Sequence, residues 1–592
     1  MLSEQWVGGP VLVAVLTIGL GIVDLSVAVN SPAPLQATVS DRQYGPDGPW
    51  QAVSVGVGEP SQKIDLYPGA STTDIFTIEA CRAVTSTCGS GGLFDSGVSM
   101  SLISTDERND AYQGRSAFLS VGGTLYETSK TSYCLDGLNF SGKRSSNSSI
   151  ALSQSASIVR PDNLTYPAQV GKLGLGSTDG YQNFSLDGGT AKGNFLANNL
   201  AAQNVIPSAS YGLHIGSSAF NIPLSLWLGG YDASRIVGPV LSQPYNNGQG
   251  AILTLDLLDI SISVGSGASP FSFGQSRSGL LQANNASIPG AVPVMMDAAA
   301  PYMYLPNSTC AAIASNLPVT YDSQLGLYLW DTASPSYARI ITSPSYLEFQ
   351  FQTSATKLTI KVPFALLNLT LEAPLKSIPT PYFPCQPPQA PNEALYPSSY
   401  SLGRAFLQAA FIGVNWGRGR EGTWWLANAP GPSSANGANT RRDVGAESVK
   451  TIQNDTTILE TSNVQWEDTW STVLKPLASS NNARPTGSSS PSGLRAGPLA
   501  GIVVGCIAFV AIMALAGLLM WKRQQKNRKT EIKGETYTNG DRFDGLQAST
   551  NEQIPSHPSE ISSGERKVTE LDTLRDPIEL SGSVYPTQIG DG

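Results

Sequence analysis

Between residues 45 and 428 the chain is written as short runs rich in Val, Ile, Leu, Thr, Tyr and Phe, such as 50–57, 251–262 and 345–362. Clusters of Gly, Pro, Asn and Ser separate them. Runs of this length and residue type fit a pleated strand, and Gly and Pro punctuate the chain between strands, so the pattern predicts an all-β protein. Two short helices are expected within it, at 194–203, where Ala, Leu and Asn would pack against a sheet, and at 309–316. The stretch is long enough for two lobes, each with its own core.

The flanks have a different character. Residues 498–521 are apolar or small and carry no charge, enough to cross a bilayer as a helix at about 1.5 Å per residue. Lys522, Arg523, Lys526, Arg528 and Lys529 follow at once, which puts the C-terminal side in the cytoplasm and disfavours the other reading, a buried core helix. The tail, 522–592, is polar and is expected to be disordered, with unknown cytoplasmic partners. At the other end, 11–23 is an apolar segment of signal-peptide length with Ser26-Val27-Ala28 as a cleavage candidate, so 1–28 reads as a signal peptide. No Lys or Arg precedes that segment, and an uncleaved anchor is the alternative. Eight Asn-x-Ser/Thr sequons, at Asn139, Asn147, Asn163, Asn183, Asn285, Asn307, Asn368 and Asn454, all precede the 498–521 run, as glycosylation of an exported ectodomain requires. The expected location is the plasma membrane or another membrane of the secretory pathway, single-pass, with the ectodomain outside or lumenal. Residues 429–497, rich in Ser, Asn, Gly, Pro and Thr, read as an extended stalk, interrupted by Trp466 and Trp470. That pair reads either as a docking point on the ectodomain, as a partner surface, or as an isolated turn.

Several chemistries drop out. The only histidines are His214, in an apolar setting, and His557, in the tail, so a histidine triad has little to build on. No cluster has metal-ligand spacing and there is no P-loop, so neither metal nor cofactor is expected. A net charge of −9 without a basic stripe outside the juxtamembrane cluster argues against nucleic acid.

Five landmarks succeed one another between 45 and 428. Gly58-Glu59-Pro60-Ser61-Gln62 is followed seven residues on by Gly69 and seven further by Phe76. Then come Gly171-Lys172-Leu173-Gly174-Leu175-Gly176, Leu228-Gly229-Gly230-Tyr231-Asp232, Asp297-Ala298-Ala299-Ala300-Pro301-Tyr302-Met303-Tyr304-Leu305-Pro306, and Leu402-Gly403-Arg404-Ala405-Phe406-Leu407 running to Phe411. In this order they resemble pepsin-like aspartic proteases, of a membrane-anchored, fungal type. The resemblance implies an all-β, bilobal fold with a central cleft, its lobes at 45–240 and 241–428. It aligns Asp297 with the second catalytic aspartate and Gly69 with the first, so the first carboxylate is replaced by glycine. Asp65 and Asp74 flank that turn four residues before and five after it.

The same resemblance implies disulfides pairing Cys81 with Cys88 and Cys310 with Cys385. Cys134 is left as a buried thiol or an intermolecular link, and Cys506 falls in the apolar run. It also implies a hairpin over the cleft, for which 117–126 is the candidate, with Phe118 or Tyr126, and Tyr302, as cleft residues. Aspartic proteases hold a water between two carboxyl groups that share one proton and so supply acid and base together. A lone Asp297 lacks that partner. The expected function is therefore a pseudoprotease that binds an extended polypeptide or cell-wall ligand, with an active membrane-anchored endopeptidase and a purely structural surface protein as alternatives.

Overall fold

The computed structural model describes residues 32–478, except 71–73, 80–87, 109–116, 122–123, 129–130, 154–155, 164, 246–251, 284, 354–355, 389–399, 418–421 and 434–447. The signal segment, the 498–521 run and the tail lie outside the described residues, among which no helix is long and apolar enough to cross a membrane.

The β-rich stretch forms strands, as its pattern predicts. In the first half the strands of one large sheet run in the order Tyr181–Leu186, Gly189–Asn194, Lys143–Ser153, Ile75–Ile78, Gly171–Gly174, Gln62–Gly69, Trp50–Val57, Thr131–Phe140 and Ile103–Arg108. The second half has its own sheet, in the order Lys357–Pro363, Ser345–Gln352, Thr254–Val264, Val292–Met296, Ser401–Leu402, Met303–Tyr304 and Cys385–Gln386. A six-stranded sheet draws on both halves, with Ser210–His214 from the first pairing antiparallel with Ala410–Asn415 from the second. This is the all-β, two-lobed architecture that the landmarks imply.

Each half adds a four-stranded sheet. In the first, Ala117–Val121 and Thr124–Thr128 form the expected hairpin and are extended by Ala156–Val159 and Thr165–Pro167. The two expected helices form at Leu196–Ala202 and Asn307–Ala314. A further one, Pro335–Thr342, starts from Ser334, whose side chain accepts from the Ser336 N–H with Pro at the first helical position, a start signal present in the sequence. Cys310 and Cys385 are disulfide-bonded across a Cα–Cα distance of 5.6 Å, as the resemblance implies. Cys88 is also disulfide-bonded, while Cys81 lies outside the described residues. Cys134 is a buried free thiol whose pKa burial pushes up to about 12, which suits a packed residue rather than a link between chains.

The extended stalk expected over 429–497 does not describe residues 448–478, which are laid on the body. Val449–Thr451 pairs antiparallel with Gly230–Asp232, and Ile452 and Leu459 sink into a cluster with Tyr231, Phe411 and Trp425. Beyond them Trp466–Trp470 is a short helix with both tryptophans buried. Trp466 meets the Tyr346 ring edge-on at 5.2 Å, Trp470 meets Phe220 at 5.5 Å, and Lys361 bonds Glu467 at 2.7 Å. The segment ends with Leu477 bridged to Gly267 and Ala268. A few large apolar side chains are enough to hold a segment whose average composition is polar, since each buried aromatic removes some 150–250 Å² from water.

Candidate active site

Strand register relates the two turns without reference to any other protein. In the first half Gly171–Gly174 runs parallel to Gln62–Gly69 with Gly174 beside Gly69, and antiparallel to Ile75–Ile78 with Lys172 beside Phe76. In the second half Ser401–Leu402 runs parallel to Val292–Met296 with Leu402 beside Met296, which carries Gly403 to Asp297, and antiparallel to Met303–Tyr304 with Ser401 beside Tyr304. Phe76 lies seven residues after Gly69, and Tyr304 seven after Asp297. Lys172 lies two before Gly174, and Ser401 two before Gly403. Every offset agrees, so Gly69 and Asp297 occupy equivalent places in the two lobes.

Asp297 is 1% exposed. Its N–H donates to Leu402 O at 3.3 Å and its Oδ1 accepts from the Ala299 N–H at 3.0 Å, closing a tight turn through Ala298, Ala299 and Ala300. Gly403 permits the close approach, because a Cβ there would sit 2.3 Å from Ala300 O. The neighbouring Arg404 is 5% exposed and donates from one terminal nitrogen to Ala298 O at 3.2 Å and Ala299 O at 2.8 Å. Its guanidinium lies 4.0 Å from the Tyr67 ring centroid and 5.0 Å from that of Trp50. Tyr67 is two residues before Gly69, so Arg404 ties one turn to the other lobe. Within the first lobe, Tyr211 holds the turn at Gly69, donating from its hydroxyl to Ala70 O at 2.9 Å.

The groups within electrostatic reach of Asp297 include a cation. Lys172 is 4% exposed, and burial pushes its ammonium down to about 7; the Asp297 carboxylate opposes that shift and Arg404 reinforces it. Burial, with the Asp297 charge behind it, also raises the Tyr211 phenol well above its ordinary range. The flanking aspartates are engaged elsewhere. Asp65 accepts from Ser40, Tyr44 and Ser54; burial pushes its carboxyl up, but these bonds outweigh burial and hold it below the usual carboxylate range. Asp74 accepts from Ser149 at 2.6 Å and Gln182 at 2.5 Å.

Tyr302, expected at the cleft, is 1% exposed and knits the lobes together instead. Its hydroxyl donates to Asp47 Oδ2 at 2.8 Å and accepts from Arg160 at 3.0 Å, while Arg160 also donates to Leu325 O. Tyr382 donates to Asp47 O at 2.6 Å. In the hairpin, the backbones of Phe118 and Tyr126 stand opposite Glu127 and Leu119. Their side chains lie outside the described residues. Among the sequons, Asn139, Asn147, Asn163, Asn183 and Asn307 are exposed and Asn285, Asn368 and Asn454 half-buried, so none is sealed in the core. Among the described residues no group of His, Cys, Asp and Glu could hold a metal ion.

Sequence reasoning found Gly69 and Asp297 but passed over Lys172, Arg404, Arg160, Asp47 and Tyr211. One signal was readable. A lysine inside Gly171-Lys172-Leu173-Gly174 breaks an otherwise apolar strand, and a buried charge of that kind needs a partner.

No protein-family model matches the chain, and no curated protein matches it. Among solved structures it is similar to the crystal structure of an aspartic proteinase from Irpex lacteus, at 14% identity and a TM-score of 0.42, over 67% of this chain and 98% of that one.

Proposed function

We propose that the chain is a single-pass membrane protein whose pepsin-like ectodomain does not hydrolyse peptides and acts as a binding or sensing module. Its ligand would be an extended polypeptide or cell-wall component, with the tail facing cytoplasmic partners. The observation that carries this reading is the equivalence of Gly69 and Asp297 in the strand register, with a cation, Lys172, within electrostatic reach of the surviving acid. Hydrolysis by this chemistry needs one carboxyl to deprotonate water and another to protonate the amide. A lysine within electrostatic reach of Asp297 cannot share a single acidic proton with it as a second carboxyl does. Where catalytic groups act as a unit, loss of one lowers turnover by ~10⁴ to 10⁶.

The test incubates residues 29–497 with a mixed peptide library at acidic pH, with and without a pepstatin-type inhibitor. Saturable peptide binding with no new termini supports the reading. Inhibitor-sensitive cleavage establishes the alternative, an active endopeptidase, and removes the proposal.

A further inference from the structure

The lobes are joined in two different ways. In the six-stranded sheet they share backbone pairing, Ser210–His214 with Ala410–Asn415. Elsewhere they are bridged by bonds that belong to no sheet, strung along one buried chain of polar groups. Arg160 of the first lobe donates to the Tyr302 hydroxyl of the second at 3.0 Å, and that hydroxyl donates back to Asp47 Oδ2 of the first at 2.8 Å. Arg160 donates from its other terminal nitrogen to Leu325 O, and around the chain Tyr382 donates to Asp47 O at 2.6 Å and the Glu372 N–H to Pro46 O at 2.7 Å. The turn carrying Leu325 lies flat against the first lobe, since a Cβ on Gly326, at φ +66°, would sit 2.6 Å from the Pro161 ring. Arg160 directly follows Ala156–Val159, a strand of the hairpin sheet, so the chain fastens that sheet to the second lobe.

What the chain holds together is a closed gap. Ile158 and Tyr166 of the hairpin sheet face Tyr67 and, at the end of the Asp297 turn, Pro301, around a space of about 20 Å³. That admits a water and no part of a peptide. Two features keep the closure from being permanent. Arg160 and Asp47 are both 3% exposed and are linked through a neutral phenol, so opening returns two charges to water and recovers hydration that closure removes. The contact is also incompletely satisfied, because Arg160 Nε and Gln386 Oε1 are buried and make no hydrogen bond among the described residues. Shared sheet pairing, by contrast, opens only when strands separate. We propose that the Arg160–Tyr302–Asp47 chain is a releasable clasp, which shuts the gap between the hairpin sheet and the Asp297 turn while the six-stranded sheet serves as the pivot. On the binding reading above, the clasp sets when a ligand can enter. Its opening belongs to the lobes alone, so loss of that reading leaves the clasp standing.

The test uses the full chain and no ligand. Native-state hydrogen exchange compares the Glu372 amide, bonded across the clasp, with the amides of Ser210–His214 in the pivot. A clasp predicts that Glu372 exchanges faster and with a weaker urea dependence, because opening exposes less surface than unfolding. A second reporter is the Pro301→Cys thiol at the wall of the gap, alkylated by iodoacetamide and mapped against Cys134, which is buried in the first-lobe sheet. Tyr302→Phe deletes the middle of the chain and with it two hydrogen bonds to charged groups, so exchange at Glu372 and alkylation at the introduced thiol should each rise roughly tenfold or more, with no comparable change in the pivot or at Cys134. Equal urea dependence at Glu372 and in the pivot overturns the proposal, as does acceleration that is absent or uniform, and the chain is then a fixed part of the core. The first comparison is made on the wild-type chain, so it decides even where a variant does not fold.

Discussion

Replacing Lys172 by Met tests the electrostatics of the site most directly. The ordinary lysine pKa of 10.5 falls to about 7 in the folded chain, chiefly through burial. At 1.36 kcal/mol for each pH unit, that corresponds to ~5 kcal/mol of differential solvation, an order-of-magnitude figure. The sign follows from proton counts. Below pH 7 both folded and unfolded chains keep the proton, so the folded state carries the whole penalty of a buried ammonium. Between pH 7 and 10.5 only the unfolded chain stays protonated, and stability rises by ~1.4 kcal/mol per pH unit. Above 10.5 the penalty is gone. Met fills a similar volume without charge, so the Met variant should be the more stable protein at pH 6, and its advantage should shrink steadily from pH 7 to 9. Urea midpoints of both proteins at pH 6, 7, 8 and 9 give the comparison, and taking the difference cancels the titration of groups common to both. An advantage that stays constant across pH 6–9 would refute the picture of a desolvated ammonium beside Asp297.

Three further outcomes are expected. Gly69→Asp alone should yield only weak pepstatin-sensitive cleavage, because the Lys172 cation within electrostatic reach of Asp297 disfavours a proton shared between the two carboxyls; combined with Lys172→Ile it should raise peptide turnover by ~10² or more over the single variant, followed by mass spectrometry of a peptide library. Arg404→Ala removes two hydrogen bonds to the Asp297 turn and the stacking on Tyr67, and at about 1.5–3 kcal/mol for each hydrogen bond from a charged group should destabilise the protein by ~3–6 kcal/mol in denaturant unfolding. Trp470→Ala should cost about 3–5 kcal/mol, against near-neutral replacement of the exposed Ile458 by Ala, because the tryptophan is 2% exposed and Ile458 79%.

The fold was legible because its signals are local and repeated: strand composition, glycine turns and the Cys310–Cys385 pair. Gly69 and Asp297 were legible for the same reason, since each stands at a fixed offset from its own landmarks. What surrounds them was not. Lys172, Arg404 and Tyr211 meet the two turns only after residues more than a hundred positions apart are brought together, and no spacing rule encodes that. Residues 448–478 hid for a different reason. Ile452, Leu459, Trp466, Trp470 and Leu474 are anchors spread thinly through a polar stretch, so an average over the stretch reports the solvent-facing majority. A stalk and a docked strap share that composition; only the facing pockets on the body distinguish them.

The docked strap shortens the leash. For a chain anchored at 498–521, as proposed, a free tether from 429 would span 69 residues and reach up to about 240 Å at full extension. With 448–478 fastened down, only 479–497 remains, 19 residues and at most about 65 Å. The ectodomain would then survey a shallow zone hugging the bilayer, and a target farther out would have to come to it.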